Sequence, residues 1–140
     1  MKSLVYALGR DPYWLTALRK ATHRTAVELK GLACEGEIQQ CIVKLPKADP
    51  EALILVDASG QTSIEAAVRA LRAAGWRYVV VVAADPSARE AAAVLRGSLG
   101  YDYWEKSYDE TSMLARIRKC LREMAADSDP DAPSGIDSPR

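Results

Sequence analysis

The sequence has almost no net charge to offer a partner. Nineteen basic and nineteen acidic side chains cancel over 140 residues. No field of one sign is available to hold nucleic acid or anionic lipid, so both partners are disfavoured. There is no apolar run long enough to span a bilayer. Nor is a signal peptide expected, since MKSLVYALGRDPYW lacks a long apolar core and a small-residue cleavage site. Three cysteines, Cys34, Cys41 and Cys120, form no CxxC or other metal-ligand pattern. An odd number at scattered, mostly apolar-periodic positions reads as buried thiols in a reducing compartment, and the protein is expected to be cytoplasmic. The one histidine, His23, has no second candidate ligand and no nucleophile near it, which leaves a catalytic or metal role without support. Gly9 stands alone, with no GxGxxG or Walker-type run, so dinucleotide and P-loop sites are not expected. The stretch GRDPYW is also not the Ser/Thr-rich loop expected of a flavin site.

What is present is an alternation of strand and helix signals. The chain is 49% hydrophobic and 27% charged, the profile of one ordinary soluble domain with a single core. SLVYAL reads as a strand. In DPYWLTALRKAT, Asp11 is a good N-cap and Pro12 suits the first helical position, where its missing N–H costs nothing. TAVELKGLA alternates with Val27 and Leu29 on one side, the weakest strand of the set. EIQQCIVKL places Ile38, Cys41, Ile42 and Leu45 at helical spacing, and Pro46 and Pro50 bracket the turn into ALILV, the third strand. SIEAAVRALRAAG is a helix stopped by Gly75.

YVVVV is apolar at every position, which implies a strand covered on both faces. DPSAREAAAVLRGSLG repeats the Asp-Pro helix start, with Asp85 as cap, and YDYWEK is a fifth short strand. DETSMLARIRKCLREM carries Met113, Leu114, Ile117, Cys120, Leu121 and Met124 on one stripe. Five β-α units with continuous apolar central strands predict a three-layer, doubly wound parallel sheet between helices over residues 1–125. Residues 126–140 are rich in Asp, Pro, Ser and Gly without periodicity, and read as a tail or linker. Such a linker raises the expectation that the chain is the front part of something longer.

ALILVDASG poses the functional question, because an apolar run, ALILV, leads straight into Asp57. In open parallel sheets ligands collect outside the carboxyl ends of the strands. Those ends carry LGRDP, VDASG, VAADP and EKSYD. Together the four stretches resemble the receiver domain of two-component response regulators, over about residues 2–121. The resemblance implies a flavodoxin-like fold with strand order 2-1-3-4-5. It also implies that Asp57 falls on the phosphoacceptor position and Lys106 on the family's lysine. Tyr103 falls on the aromatic position that rotates on activation, and Ser59 on the residue whose backbone carbonyl helps hold Mg²⁺. The surface that the resemblance implies for dimerisation or partner docking is the last strand, with Tyr103 and Trp104, and its flanking helices. Arg116, Arg118, Lys119 and Arg122 stand on the last helix and read mainly as a solvated face.

Three departures weigh against ordinary receiver chemistry. The family's first strand ends in two adjacent acidic residues, where this chain has Gly9 and Arg10; Ala83 replaces a Thr or Ser, and Ser107 replaces a proline. Phosphoryl transfer to a carboxylate joins two negative groups and relies on a divalent metal and a lysine. Mg²⁺ asks for near-octahedral oxygen ligation with one or two carboxylates. The expectation is therefore a degenerate receiver without a cofactor, not an enzyme, with Arg10 and Lys106 satisfying Asp57 and acting by protein–protein contact. One alternative is a working receiver phosphorylated on Asp57 by a histidine kinase, with Asp11, Asp57 and Ser59 around Mg²⁺; against it, capping is already a sufficient role for Asp11. The other is a small-anion-binding domain that uses Arg10 and Lys106.

Overall fold

Each apolar run read above as a strand is one. The computed structural model describes residues 2–59, 64–84 and 102–128. It contains β1 (Ser3–Gly9), β2 (Val27–Ala33), β3 (Leu53–Asp57), β4 (Tyr78–Ala83) and β5 (Asp102–Glu105). All four pairings are parallel, in the order β2-β1-β3-β4-β5. This is the flavodoxin-like order expected from the sequence. β3 and β4 are buried almost throughout, whereas β2, at the edge, buries only Val27, in keeping with its weak alternation.

The helices are α1 (Pro12–Thr22), α2 (Ile38–Cys41), α3 (Ile64–Ala74) and α4 (Glu110–Ser128). α4 runs past the domain boundary drawn at residue 125. The helix expected from DPSAREAAAVLRGSLG and the tail from residue 129 lie outside the described residues. α3 ends at Gly75, whose φ of 108° is a left-handed value that glycine adopts without a Cβ penalty. α2 is shorter than its spacing predicts. After Cys41 the chain tightens into a 3₁₀ turn over Ile42–Lys44, and Leu45 is extended. Pro46 accounts for this, since the residue before a proline is pushed out of the helical region.

Strand alternation splits the core into two layers. On one face Tyr6, Leu8, Ile54, Val56, Val79 and Val81 pack with α2 and α3, and Trp76 meets Tyr6 edge-on at 4.9 Å between centroids. On the other, Val5, Ala7, Leu53, Leu55, Val80 and Val82 pack against Trp14, Leu15 and Leu18 of α1 and Met113, Ile117 and Met124 of α4. Burying side chains of this size stabilises by roughly 1.5–3 kcal/mol each. Cys34 and Cys41 are buried and Cys120 half-buried, all as free thiols. Burial and the neighbouring Cys41 thiol push the Cys34 thiol up to about 12, which makes it inert. No helix among the described residues is long and apolar enough to cross a membrane.

Candidate functional site

The strand order reverses between β1 and β3, so the connections that follow these strands diverge and leave a crevice at their carboxyl ends. Asp57 closes β3 there and is fully buried. Its Oδ1 accepts a hydrogen bond from the Ser59 backbone N–H at 3.0 Å, a local turn contact. Its Oδ2 accepts from Lys106 Nζ at 2.9 Å. Lys106 is placed by β5: its backbone N–H donates to the Ala83 carbonyl at 2.9 Å, one step beyond the Ala83–Glu105 register pair.

Lys106 does more than meet Asp57. The same ammonium donates to Asp11 Oδ2 at 2.9 Å and to Ser59 Oγ at 3.3 Å. An ammonium has three N–H donors, and here each has an acceptor. The lysine side chain is only 6% exposed. Burial alone would lower its pKa, but the hydrogen bonds to Asp11 and Asp57 and their charges outweigh this and hold the ammonium above the usual lysine range.

Asp11 turns out to serve in two places. Its Oδ1 caps α1, accepting from Tyr13 N at 2.9 Å and Trp14 N at 3.3 Å. Its Oδ2 faces the crevice and accepts from both Lys106 Nζ and the Tyr108 hydroxyl. Burial opposes ionisation, but the bonds from Tyr108, Lys106 and Trp14 prevail and hold the carboxyl down to about 2. Capping and membership of the pocket were set against each other as sequence readings. Two oxygens on one carboxylate make them compatible.

Arg10 does not take the place expected for it. It is exposed, while the ion pairs to Asp57 and Asp11 among the described residues come from Lys106. β1 ends at Gly9, which lies against Asp57, and the chain bends at Arg10 before Asp11 enters the pocket. Gly9 itself was underrated. A Cβ built there would lie 2.9 Å from Asp57 Cβ and 3.4 Å from both Asp57 Oδ2 and the Trp14 ring. The backbone approaches Asp57 this closely only because position 9 carries no side chain.

The remaining expected residues line up around this core. Ala83 ends β4 and offers its carbonyl, which accepts from the Tyr103 hydroxyl at 2.9 Å as well as from Lys106 N. Tyr103 packs on the α2/α3 side of the sheet and Trp104 on the α1/α4 side. Arg116 donates to the Glu105 carbonyl at 2.6 Å, so it is tied to β5, whereas Arg118, Lys119 and Arg122 are exposed. His23 is an exposed residue at the end of α1. Tyr108 was not foreseen. Its only trace in the sequence is an aromatic two places beyond the lysine in EKSYD.

A divalent cation at these carboxylates would compete with Lys106 for the same oxygens. The two carboxylate oxygens that would hold it converge on a point where the Lys106 ammonium already sits. Position 9 has no room for a further acidic side chain.

No family model matches the sequence, and no curated protein matches it. Solved structures do match. A response regulator receiver protein from Pseudoalteromonas atlantica superposes with a TM-score of 0.65 at 16% identity, over 86% of this chain and 98% of that one. A response regulator from Thermotoga maritima gives 0.62 at 16%, covering 87% and 99%. A CheY-like receiver domain protein from Methanospirillum hungatei gives 0.66 at 16%, covering 91% and 100%. The chain thus has the fold of receiver domains over nearly their whole length.

Proposed function

We propose that this chain is a receiver-like signalling module of a two-component phosphorelay regulator, acting by protein–protein contact, in which Mg²⁺-dependent phosphoacceptor chemistry is weakened or lost. The observation that supports this best is the commitment of Lys106. All three of its N–H groups are taken by Asp11, Asp57 and Ser59. Phosphoryl transfer would need that ammonium, and a metal, on the phosphoryl oxygens instead. The close approach of Gly9 and the missing hydroxyl at Ala83 point the same way. The contact surface in this proposal is β5 with its flanking helices, offering Trp104 and the exposed Arg118, Lys119 and Arg122, to a protein partner or a second copy of the chain.

The test is incubation of the full chain with acetyl phosphate and Mg²⁺, read by intact mass, alongside sedimentation at micromolar concentration. The expected result is no phosphoryl adduct, together with self-association. A stoichiometric adduct that disappears in Asp57→Asn would overturn the proposal.

One observation favours a second reading, a working receiver phosphorylated on Asp57 by a histidine kinase. Asp11 Oδ2 and Asp57 Oδ2 both lie 2.9 Å from one point, which is the kind of carboxylate pairing a small divalent ion requires. In that reading Lys106 swings away as the ion enters. Beryllofluoride with Mg²⁺ would then change the fluorescence of Trp14 and Trp104. Binding of a small anion has less support, because the N–H groups of Lys106 are taken by Asp11, Asp57 and Ser59.

A further inference from the structure

Tyr108 sits between Lys106 and the start of α4, in a segment fixed at both ends. On one side the Asp109 backbone N–H donates to Ser107 Oγ at 3.0 Å. On the other, Asp109 caps α4, its Oδ2 accepting from Ser112 N at 2.9 Å. Held this way, Tyr108 puts its ring centroid 5.5 Å from Lys106 Nζ and donates its hydroxyl to Asp11 Oδ2. The contrast in exposure is large. Tyr108 is 53% exposed, while the side chains of Lys106 and Asp57 are 6% and 0% exposed. A ring face is favourable toward an ammonium beneath it, and a phenol is a good donor to a carboxylate.

We infer that Tyr108 is the positioning residue that closes the pocket, its ring roofing the Lys106 ammonium and its hydroxyl clamping Asp11 onto it. The inference rests on the reading above, in which Lys106 holds both carboxylates, and adds the residue that keeps them so. Without the ring, water and small reagents reach Lys106. Without the hydroxyl alone, the roof stays and Asp11 loses one of its two partners on Oδ2.

Amine acetylation of the full chain with a small activated ester, followed by peptide mass, tests the roof. Exposed Lys20 and Lys119 are internal references. In wild type Lys106 should react at least about tenfold more slowly than these, because reaction must wait for local opening. Tyr108→Ala should raise its rate severalfold, though not to the level of the references, because the ion pairs to Asp11 and Asp57 remain, and Tyr108→Phe should leave it slow. The clamp is read separately from the Tyr108 phenol by carbon NMR. Its titration lies above the usual tyrosine value because the hydroxyl is bonded to the Asp11 carboxylate. Asp11→Asn should lower it, a change that a purely structural tyrosine would not show. Fast acetylation of Lys106 in wild type, or a Lys106 rate in Tyr108→Ala no higher than in wild type, would overturn the inference. So would an unmoved phenol titration in Asp11→Asn. A phosphoryl adduct on wild type would sink the earlier reading while leaving protected Lys106 to stand.

Discussion

Asp57 and Asp11 share one ammonium, yet they are held in different ways. Asp57 belongs to a strand: it is register-paired with Val82 in a fully buried β3, and Gly9 of the neighbouring β1 packs against it. Asp11 belongs to a connection: one of its oxygens starts a helix, and the other is reached from β5's loop by Lys106 and Tyr108. The strand-borne half fixes where the negative charge lies, with little freedom to move. The loop-borne half decides which cation meets it and what can reach it. A receiver-like scaffold can therefore keep its shape while the chemistry at its strand ends is changed by a few connecting residues.

The most severe way to break both halves at once is Lys106→Met. It leaves a fully buried carboxylate without a counter-charge, and chemical denaturation should show a loss of about 3 kcal/mol or more. Adding Asp57→Asn should recover much of that loss, because the two sites are directly coupled. Gly9→Ala strikes the strand-borne half alone. The new methyl meets Asp57 Cβ at 2.9 Å, so either strand must shift, and a loss of about 2 kcal/mol is expected.

Asp11→Asn strikes the loop-borne half alone, since asparagine caps a helix as well as aspartate does. The Asp11 carboxyl is held at about 2, below its ordinary 3.8. Its contribution is therefore complete above the ordinary value and is lost as the pH falls through about 2. Wild type should lose on the order of 1 kcal/mol across that window once solvent screening is allowed for, and the variant should not. Lys106 has the opposite sign, because its pKa is raised. Its contribution is present throughout the neutral range and is lost only when the pH climbs past the ordinary lysine range. The smallest effect is expected from Tyr103→Phe. It removes one hydrogen bond to the Ala83 carbonyl, which keeps Lys106 N as a second donor, so the loss should stay below about 1 kcal/mol.

The sequence made the strand-borne half readable and the loop-borne half much less so. Apolar runs such as ALILV and YVVVV have no other economical reading than buried parallel strands, and the polar residues at their ends fall together once the sheet is parallel. Asp57 is legible that way, and Lys106 through the resemblance to receiver domains. Chemical affinity alone favours a guanidinium beside Asp57, but Arg10 is exposed at the bend after β1 and Lys106 makes that pair. Asp11 was read as a cap because residue type and the following proline suffice for that, and nothing in a sequence tells what a second oxygen faces. Tyr108 was missed because its role depends on how a short turn folds back over the lysine. The short α2 had a visible signal, Pro46, whose effect on the residue before it competes with helical spacing.

The bare backbone at position 9 has one more consequence. A chain with this arrangement cannot be converted to one with a second acidic ligand on β1 by changing that residue alone, because the new side chain and the Asp57 methylene would claim the same volume. Positions 9 and 57 have to be varied together, or the spacing between β1 and β3 widened first. Any attempt to add a second acidic ligand on β1 by design must begin there.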